Sequence, residues 1–204
     1  MSLASLLIDR IVHESAGTLI YHYYYRLPEQ DRSDDPGVML AFKLVPEVVN
    51  AIAIPGGEPP EDLHITVIYF GRMSEVGDDG LERIAETVLG VASATPVIHG
   101  HISGIGRFAG SMSSDSKDVL YASIDAPGLS ELRNEIVKAC DTAGIPIRKD
   151  HGYVPHTTLA YVDPSDATPP ELPKGTRLTP VVLDKLVLAV NDYTRNTFPL
   201  MGAK

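Results

Sequence analysis

The sequence has little positive charge, and this shortage limits the partners it can hold. Its 204 residues include 17 Lys and Arg against 27 Asp and Glu, for a formal net charge of −10. Sequence-independent binding of duplex DNA or long RNA requires several clustered basic contacts, so we expect neither partner. A small nucleotide or an oligonucleotide end needs only a few local contacts and remains compatible with this charge.

Cysteine and long apolar segments are also scarce. Cys140 is the only cysteine, so no internal disulfide can form and a reducing compartment is expected. No stretch approaches the ~20 apolar residues of a membrane helix, and the first residues lack a basic segment followed by a long apolar run. We therefore expect a soluble, cytoplasmic protein with no membrane partner.

One short pattern occurs twice, at residues 63–70 and again at 155–162. Each copy reads His, any residue, Thr, apolar, any residue, Tyr, apolar, and its β-branched and aromatic content predicts a strand. Period-two alternation predicts that one face of these strands carries His64, Thr66, His156 and Thr158. The same alternation places Tyr69 and Tyr161 on the opposite face, where we expect structural roles.

Two histidines and two hydroxyls on exposed strand faces are suited to phosphodiester chemistry. In-line hydrolysis needs a base on the attacking oxygen and an acid on the leaving oxygen. A histidine with its ordinary pKa of about 6.5 can hold either protonation state near neutral pH. The threonines can donate hydrogen bonds to the charged phosphate oxygens. Which histidine is the base and which the acid stays open.

The remaining patterns predict an α+β protein. We expect strands at 18–27, 38–45, 63–70, 97–108, 119–125, 155–162, 181–190 and 197–200, and helices at 1–13, 46–54, 81–94 and 129–143. The repeated strand indicates two related halves, each a small sheet with helices on its outer face. Residues 37–204 are predicted to form this domain, and residues 1–36 an N-terminal extension of unknown role.

The two His-x-Thr strands, together with Ser-Gly-Ile-Gly-Arg-Phe at 103–108 and Leu-Ser-Glu-Leu at 129–132, resemble the 2H phosphoesterase superfamily. The resemblance covers roughly residues 37–200 and is strongest to the 2′-5′ RNA ligase-like branch, which has phage-encoded members. It implies a bilobal fold, with two antiparallel sheets facing across a central groove, helices on the outer faces and one His-x-Thr on each wall. It also implies metal-independent hydrolysis of a 2′,3′-cyclic phosphate, a 2′-5′ linkage or a cyclic oligonucleotide, the last as in phage enzymes that degrade bacterial immune signals.

Further side chains are candidates for binding the substrate beside the catalytic set of His64, Thr66, His156 and Thr158. Cations can bind the phosphate and aromatic rings can stack on a base, although surface charge and core packing are competing interpretations of each. These candidates are Lys43, Phe70, Arg107, Tyr121, Arg148 and His151. Phe108 is a third aromatic candidate for stacking on a base near the groove.

Two other classes of function stay open. A non-catalytic module could bind a nucleotide or an RNA end in the same groove, although such a module has no use for two acid–base groups. A metallohydrolase could use His99, His101 and His151, because histidines two residues apart on a strand have a spacing found in metal sites. No carboxylate or cysteine cluster accompanies them, and the two-histidine interpretation requires neither a metal nor another cofactor.

Overall fold

The computed structural model describes residues 35–111, 114–148, 152–166, 176, 178–191 and 193–201, together with the backbone of two strands at 8–15 and 18–25. In chain order the strands are β1 (Ile8–Ser15), β2 (Thr18–Tyr25), β3 (Gly37–Lys43), β4 (His64–Arg72), β5 (Ile98–Phe108), β6 (Asp118–Asp125), β7 (His156–Val162), β8 (Pro180–Leu183), β9 (Lys185–Val190) and β10 (Tyr193–Pro199). The helices are α1 (Pro46–Ile52), α2 (Met73–Ala92) and α3 (Leu129–Thr142). Within the described residues, no helix combines the length and apolarity of a membrane span.

Two four-stranded antiparallel sheets form the body of the protein. The first has the order β10-β9-β3-β4 and the second the order β7-β6-β5-β8. The predicted α+β class with two antiparallel sheets is confirmed. In each sheet the strand with the His-x-Thr pattern is an edge strand, and these two edge strands, β4 and β7, lie against one another.

Apolar residues from both sheets and all three helices form one continuous core. Alternate residues of β3 (Val38, Leu40 and Phe42) face this core, and α2 covers them with Leu81, Ile84 and Val88 at helical spacing. The helix α3 contributes Leu129, Leu132, Ile136 and Cys140. Because the helices cover one face of each sheet, the other face is left for a ligand; we call it the groove face.

The structure corrects the predicted start of α2, which lies at Met73 rather than near residue 81. Two carboxylates cap its first turn: Asp35 accepts hydrogen bonds from the Ser74 backbone N–H and hydroxyl, and Glu75 accepts one from the Arg72 backbone N–H. Gly77 has φ +67°, so the helix is kinked after this first turn. The sequence pattern predicted only the amphipathic part beyond the kink.

The prediction of one strand at 181–190 was wrong. The chain forms β8 in the second sheet, where it pairs with β5, and then β9 in the first sheet, where it pairs with β3 and β10. Only Asp184 separates the two strands, and its carbonyl accepts a hydrogen bond of 2.7 Å from the Leu200 backbone N–H. Asp184 and Lys185 interrupt the apolar run at this point, but two charged residues between two apolar segments do not by themselves reveal a change of sheet.

The N-terminal extension contains a β-hairpin. The strands β1 and β2 pair in antiparallel register from Ile8–Tyr25 to Ser15–Thr18. The strand predicted at 18–27 is therefore found over residues 18–25, whereas the helix predicted at 1–13 was wrong for residues 8–13. The rest of that predicted helix and the last two residues of the predicted strand lie outside the described residues.

Candidate active site

Equivalent positions of the two sheets carry the two motifs. In the first sheet, His64 lies opposite Lys43, and Thr66 lies opposite Ala41. In the second, the residues opposite His156 and Thr158 are Ser123 and Tyr121. Side chains at directly opposed positions of an antiparallel pair lie on the same face, so both motifs point to the groove face. All four motif residues are partly exposed, as a substrate site requires.

The two histidine rings are held in the same way. The Nδ1 atom of His64 lies 2.6 Å from the Asp62 carbonyl oxygen, and Nδ1 of His156 lies 2.6 Å from the Val154 carbonyl oxygen. A carbonyl oxygen can only accept, so Nδ1 carries the proton in both rings. The Nε2 atom of each ring is therefore the nitrogen available to exchange a proton with a ligand.

A β-bulge in each motif strand corrects the predicted position of the motif tyrosines. The register skips Val67 in β4 and Leu159 in β7, so each strand has one residue more than its partner at that point. Tyr69 then lies opposite Met39, and Tyr161 lies opposite Val119. Both tyrosines are on the groove face, 40% and 45% exposed, not on the core face that strict alternation predicted.

Backbone contacts join the two halves beside the motifs. The Glu58 backbone N–H, in the loop before β4, donates to the Leu159 carbonyl of β7 at 2.7 Å. The Arg148 backbone N–H, in the loop before β7, donates to the Tyr69 carbonyl of β4 at 3.3 Å. Each loop that leads into one motif thus covers the open edge of the other motif strand, which fixes the two histidines relative to one another.

The wall around His156 is aromatic. The Phe108 and Tyr121 rings stack with centroids 4.1 Å apart and an interplanar angle of 20°. Their centroids lie 5.1 and 5.3 Å from that of His156, both in edge contacts. Gly106 is paired with Tyr121 and has no Cβ, so the tyrosine ring can lie flat over β5. We call Phe108 and Tyr121 the aromatic pair.

The wall around His64 contains a pocket instead of a ring stack. Its floor is made by small or flexible apolar residues of β3 and β9, which are Met39, Ala41, Val187 and Ala189. Lys43, Glu61, Asp62 and Asn191 complete its lining beside His64. We call it the His64 pocket. No sequence pattern indicated the residues from β9 and its end, because their place beside β3 depends on the change of sheet at Asp184.

The hydroxyl of Thr66 makes only a weak contact within the protein. Its Oγ1 lies 4.0 Å from the Met39 sulfur, which is a poor acceptor. A phosphate oxygen is a much stronger acceptor, so this hydroxyl can turn to a bound phosphate at little cost.

Three of the predicted binding residues do not reach the groove with free functional groups. Phe70 is 4% exposed and belongs to the core. The Arg107 guanidinium donates to the Asp118 carboxylate at 2.6 Å and to backbone carbonyls of the loop at 163–166. Its hydrogen bond to Asp118, with a second one from the Gly110 backbone N–H, lowers the pKa of that carboxyl. Arg148 pairs with Glu75 at 2.5 Å.

Lys43 and Tyr121 are the predicted binding residues that lie next to a motif histidine, Lys43 directly opposite His64 and Tyr121 in edge contact with His156. His151 lies outside the described residues. His99 and His101 are on β5, where Nε2 of His101 lies 3.9 Å from the Asp125 carboxylate. Among the described residues, no group of three or more His, Cys, Asp or Glu side chains is arranged to hold a metal ion.

Comparisons with known proteins agree with this geometry. The model of the 2′-5′ RNA ligase superfamily matches residues 54–191. The structure is similar to that of TT0787 of Thermus thermophilus, with a TM-score of 0.62 and 18% identity over 82% of this chain and 100% of that one. It is also similar to E. coli LigT in its apo form (TM-score 0.61, 16% identity, 83% and 99% of the chains) and in complex with 3′-AMP (0.61, 18%, 82% and 96%). The search of curated proteins found no match.

The two sheets, with a matched histidine on one edge strand of each, define a phosphoesterase fold of the two-histidine type. The family model covers well over half of the chain, and both His-x-Thr motifs fall inside the matched range. The chain belongs to the 2′-5′ RNA ligase superfamily.

Proposed function

We propose that this protein is a metal-independent phosphodiesterase that hydrolyses a 2′,3′-cyclic phosphate, a 2′-5′ linkage or a cyclic oligonucleotide. The observation that carries the proposal is the matched pair of hydrogen bonds from His64 and His156 to the carbonyl two residues earlier. These bonds give both rings the same tautomer and leave both Nε2 atoms for proton transfer. We further propose that residues 37–204 are the catalytic domain and that it acts in the cytoplasm.

The mechanism needs one neutral and one protonated imidazole. The neutral ring removes a proton from the attacking oxygen while the protonated ring gives one to the leaving oxygen, and each transfer contributes about 10²–10⁴-fold. Thr66 and Thr158 donate hydrogen bonds to the non-bridging oxygens, where negative charge is concentrated. The exposed ammonium group of Lys43, opposite His64, adds a positive charge near the phosphate.

Three observations support a small nucleotide or a nucleotide end as the substrate. The net charge of −10 disfavours long nucleic acids. The aromatic pair offers a stacking surface for a base beside His156. The related LigT has been crystallised with 3′-AMP, with phosphate and with NADP+, and we propose that ligands of this kind enter the same groove here.

The test is hydrolysis of a substrate panel by the full chain. The panel contains 2′,3′-cyclic mononucleotides, 2′-5′ and 3′-5′ dinucleotides, and cyclic di- and trinucleotides, each assayed with and without EDTA. We expect a bell-shaped pH–rate profile that EDTA does not change, and loss of at least about 10²-fold in kcat for His64→Ala and for His156→Ala. His99→Ala is the matched control, because it removes an exposed imidazole from β5 outside the two motifs.

The other outcomes separate the competing functions. Full activity in either motif variant contradicts the proposal. Binding of 3′-AMP without turnover of any panel member indicates a non-catalytic module. Loss of activity in EDTA that zinc or manganese restores, together with loss in His99→Ala, indicates a metallohydrolase. Preference for the cyclic di- or trinucleotides indicates an enzyme that degrades cyclic oligonucleotide signals, as some phage proteins do.

A further inference from the structure

Arg133, on the helix α3, contacts both halves of the protein close to the two motifs. Its Nε atom donates a hydrogen bond of 3.2 Å to the Val67 carbonyl of β4, and its Cζ atom lies 4.7 Å from the centroid of the Tyr153 ring. We propose that Arg133 is a positioning residue, which acts through Tyr153 on His156 and sets the place of that ring relative to the first motif. The proposal rests on the proposed phosphodiesterase function and adds to it a residue from the helix-covered side of the sheets.

The first contact binds the carbonyl of the extra residue in the β4 bulge, and a bulge leaves its extra residue unpaired. That residue, Val67, directly follows Thr66. In β7 the extra residue is Leu159, which directly follows Thr158 and whose carbonyl accepts the Glu58 backbone N–H. Each bulge carbonyl is thus bound from the other half of the protein. The donor is a backbone N–H at β7 but a side chain at β4, so the contact at β4 can be removed by substitution.

The second contact leads to the histidine of the second motif. Tyr153 directly precedes Val154, whose carbonyl oxygen lies 2.6 Å from Nδ1 of His156 and fixes the tautomer of that ring. The Tyr153 ring packs against the core, and its hydroxyl is buried with no hydrogen-bond partner among the described residues. The loop before β7 is therefore held at this point by the faces of the ring, one of which lies under the guanidinium.

Both contacts together favour an arginine at this position. A guanidinium is planar, so it can lie over an aromatic ring while one of its N–H groups donates a hydrogen bond. A lysine ammonium carries its charge at one point, so it can serve the ring or the carbonyl but has no flat face to present. Arg133 is partly buried, which limits the competition of water for both contacts.

The ring of His64 offers an internal comparison. Its Nδ1 is held by the Asp62 carbonyl, in a loop that attaches to β7 through the Glu58 backbone N–H. Arg133 takes part in neither contact, and β4 is also held by its pairing with β3. Loss of the guanidinium is therefore expected to disturb His156 and to leave His64 in place, whereas a general loss of structure disturbs both rings.

The tautomers of the two rings test the proposal without any substrate. Long-range ¹H–¹⁵N NMR spectra of the imidazoles are recorded at about pH 8.5, where an imidazole is neutral, and are assigned with His64→Ala and His156→Ala. In the wild type both rings should be protonated on Nδ1. In Arg133→Met we expect His156 to give a mixture of tautomers while His64 stays protonated on Nδ1. Lys138→Met, a loss of charge at an exposed site of the same helix, should give the wild-type spectrum.

Kinetics with 2′,3′-cyclic AMP separate positioning from binding. Arg133→Met should lower kcat by about 10- to 100-fold and change KM by less than about threefold, because proton transfer is impaired while the contacts to the substrate remain. Arg133→Lys keeps the charge without the planar group and should lie between Arg133→Met and the wild type. Tyr153→Leu, which removes the ring, should match Arg133→Met. Tyr153→Phe, which removes only the hydroxyl, should match the wild type.

A double variant shows whether Arg133 acts through His156. In the His156→Ala protein the ring to be positioned is gone, so adding Arg133→Met should lower kcat further by less than about threefold. An effect on the general fold multiplies with that of His156→Ala instead, and a full further loss therefore contradicts the proposal.

The outcomes separate this inference from the proposed function. A wild-type tautomer of His156 in folded Arg133→Met overturns the positioning role, whether or not any substrate is cleaved. Equal disturbance of His64 and His156, or unfolding of the Arg133 variants and Tyr153→Leu in circular dichroism, replaces it with a general structural role. Loss of activity in Tyr153→Phe assigns the effect to the hydroxyl and also overturns it. Absence of cleavage by the wild type contradicts the proposed function alone, because the NMR comparison still decides what holds His156.

Discussion

The aromatic pair makes a sharp prediction for Gly106, a residue that touches no substrate in the proposed mechanism. In Gly106→Ala the new Cβ overlaps the Tyr121 ring, lying 2.6 Å from Cε2 and closer still to Cζ and the hydroxyl oxygen. The neighbour is the far end of a side chain, so the ring can move while β5 and β6 stay paired. We therefore expect a folded protein in which Tyr121 has left its stack on Phe108 and its contact with His156.

The size of the effect follows from what the stack offers to a base. Loss of base stacking on an aromatic ring costs about 1–3 kcal/mol, and each 1.4 kcal/mol changes a dissociation constant about tenfold. Binding of 3′-AMP should therefore weaken by about 5- to 150-fold in Gly106→Ala. Binding of inorganic phosphate, which has no base, should change much less.

Isothermal titration calorimetry with 3′-AMP and with phosphate measures both quantities in the same protein. The matched control is Gly90→Ala, because apart from the adjacent residues and backbone of α2 itself no atom lies within 4 Å of a Cβ at that position. It should bind both ligands as the wild type does and gain about 1 kcal/mol of helix stability. Unchanged 3′-AMP affinity in Gly106→Ala, or equal weakening for both ligands, would refute the assignment of the aromatic pair to the base.

Three further predictions concern charge, alkaline pH and a buried hydroxyl. Lys43→Met should lower kcat/KM by about 3- to 30-fold at low salt and less at high salt, since the lost charge is exposed to screening ions. The control Lys138→Met on α3 should have no effect. Equal losses at both salt concentrations contradict a charge effect. Burial raises the pKa of Tyr153 to about 12 and that of Cys140 to about 11. Both groups stay neutral in the folded protein, whereas in the unfolded chain they lose their protons above about pH 9. The free energy of unfolding is therefore unaffected by them below about pH 9 and falls above it, by up to about 3 kcal/mol for each group. Urea unfolding between about pH 8 and 11 measures this fall, and a constant free energy of unfolding contradicts it. Thr157 is 0% exposed and its hydroxyl has no hydrogen-bond partner, so Thr157→Val should raise the free energy of unfolding by about 1 kcal/mol; a lower value in the same urea assay contradicts the prediction.

The sequence pattern was sufficient for the parts of the site that depend on local periodicity. Alternation along a strand is enough to place His64 with Thr66, and His156 with Thr158, because each pair is only two residues apart. The repetition of the pattern then indicated two equivalent strands. The structure confirms the α+β class and the two antiparallel sheets, and the family match supports the resemblance on which the groove was expected.

Longer extrapolations along the same strands failed for a physical reason. One extra residue at Val67 and one at Leu159 turn the next side chains to the other face, so Tyr69 and Tyr161 reach the groove against the alternation. A bulge has no distinct compositional signal here, since each extra residue is apolar like the residue that follows it. The change of sheet at Asp184 was missed although Asp184 and Lys185 interrupt the apolar run, and with it the pocket residues of β9 were missed.

The passage through Asp184 also has a consequence for attempts to divide the molecule. The first wall takes two of its four strands from before the second wall and two from after it. A gene split between residues 183 and 184 would leave β3 paired with β4 but without β9 and β10, and a two-stranded sheet is at best marginally stable in water. We therefore expect that fragments cut there regain activity only when both are present and reassociate, so that the two repeats behave as one cooperative folding unit despite their internal likeness.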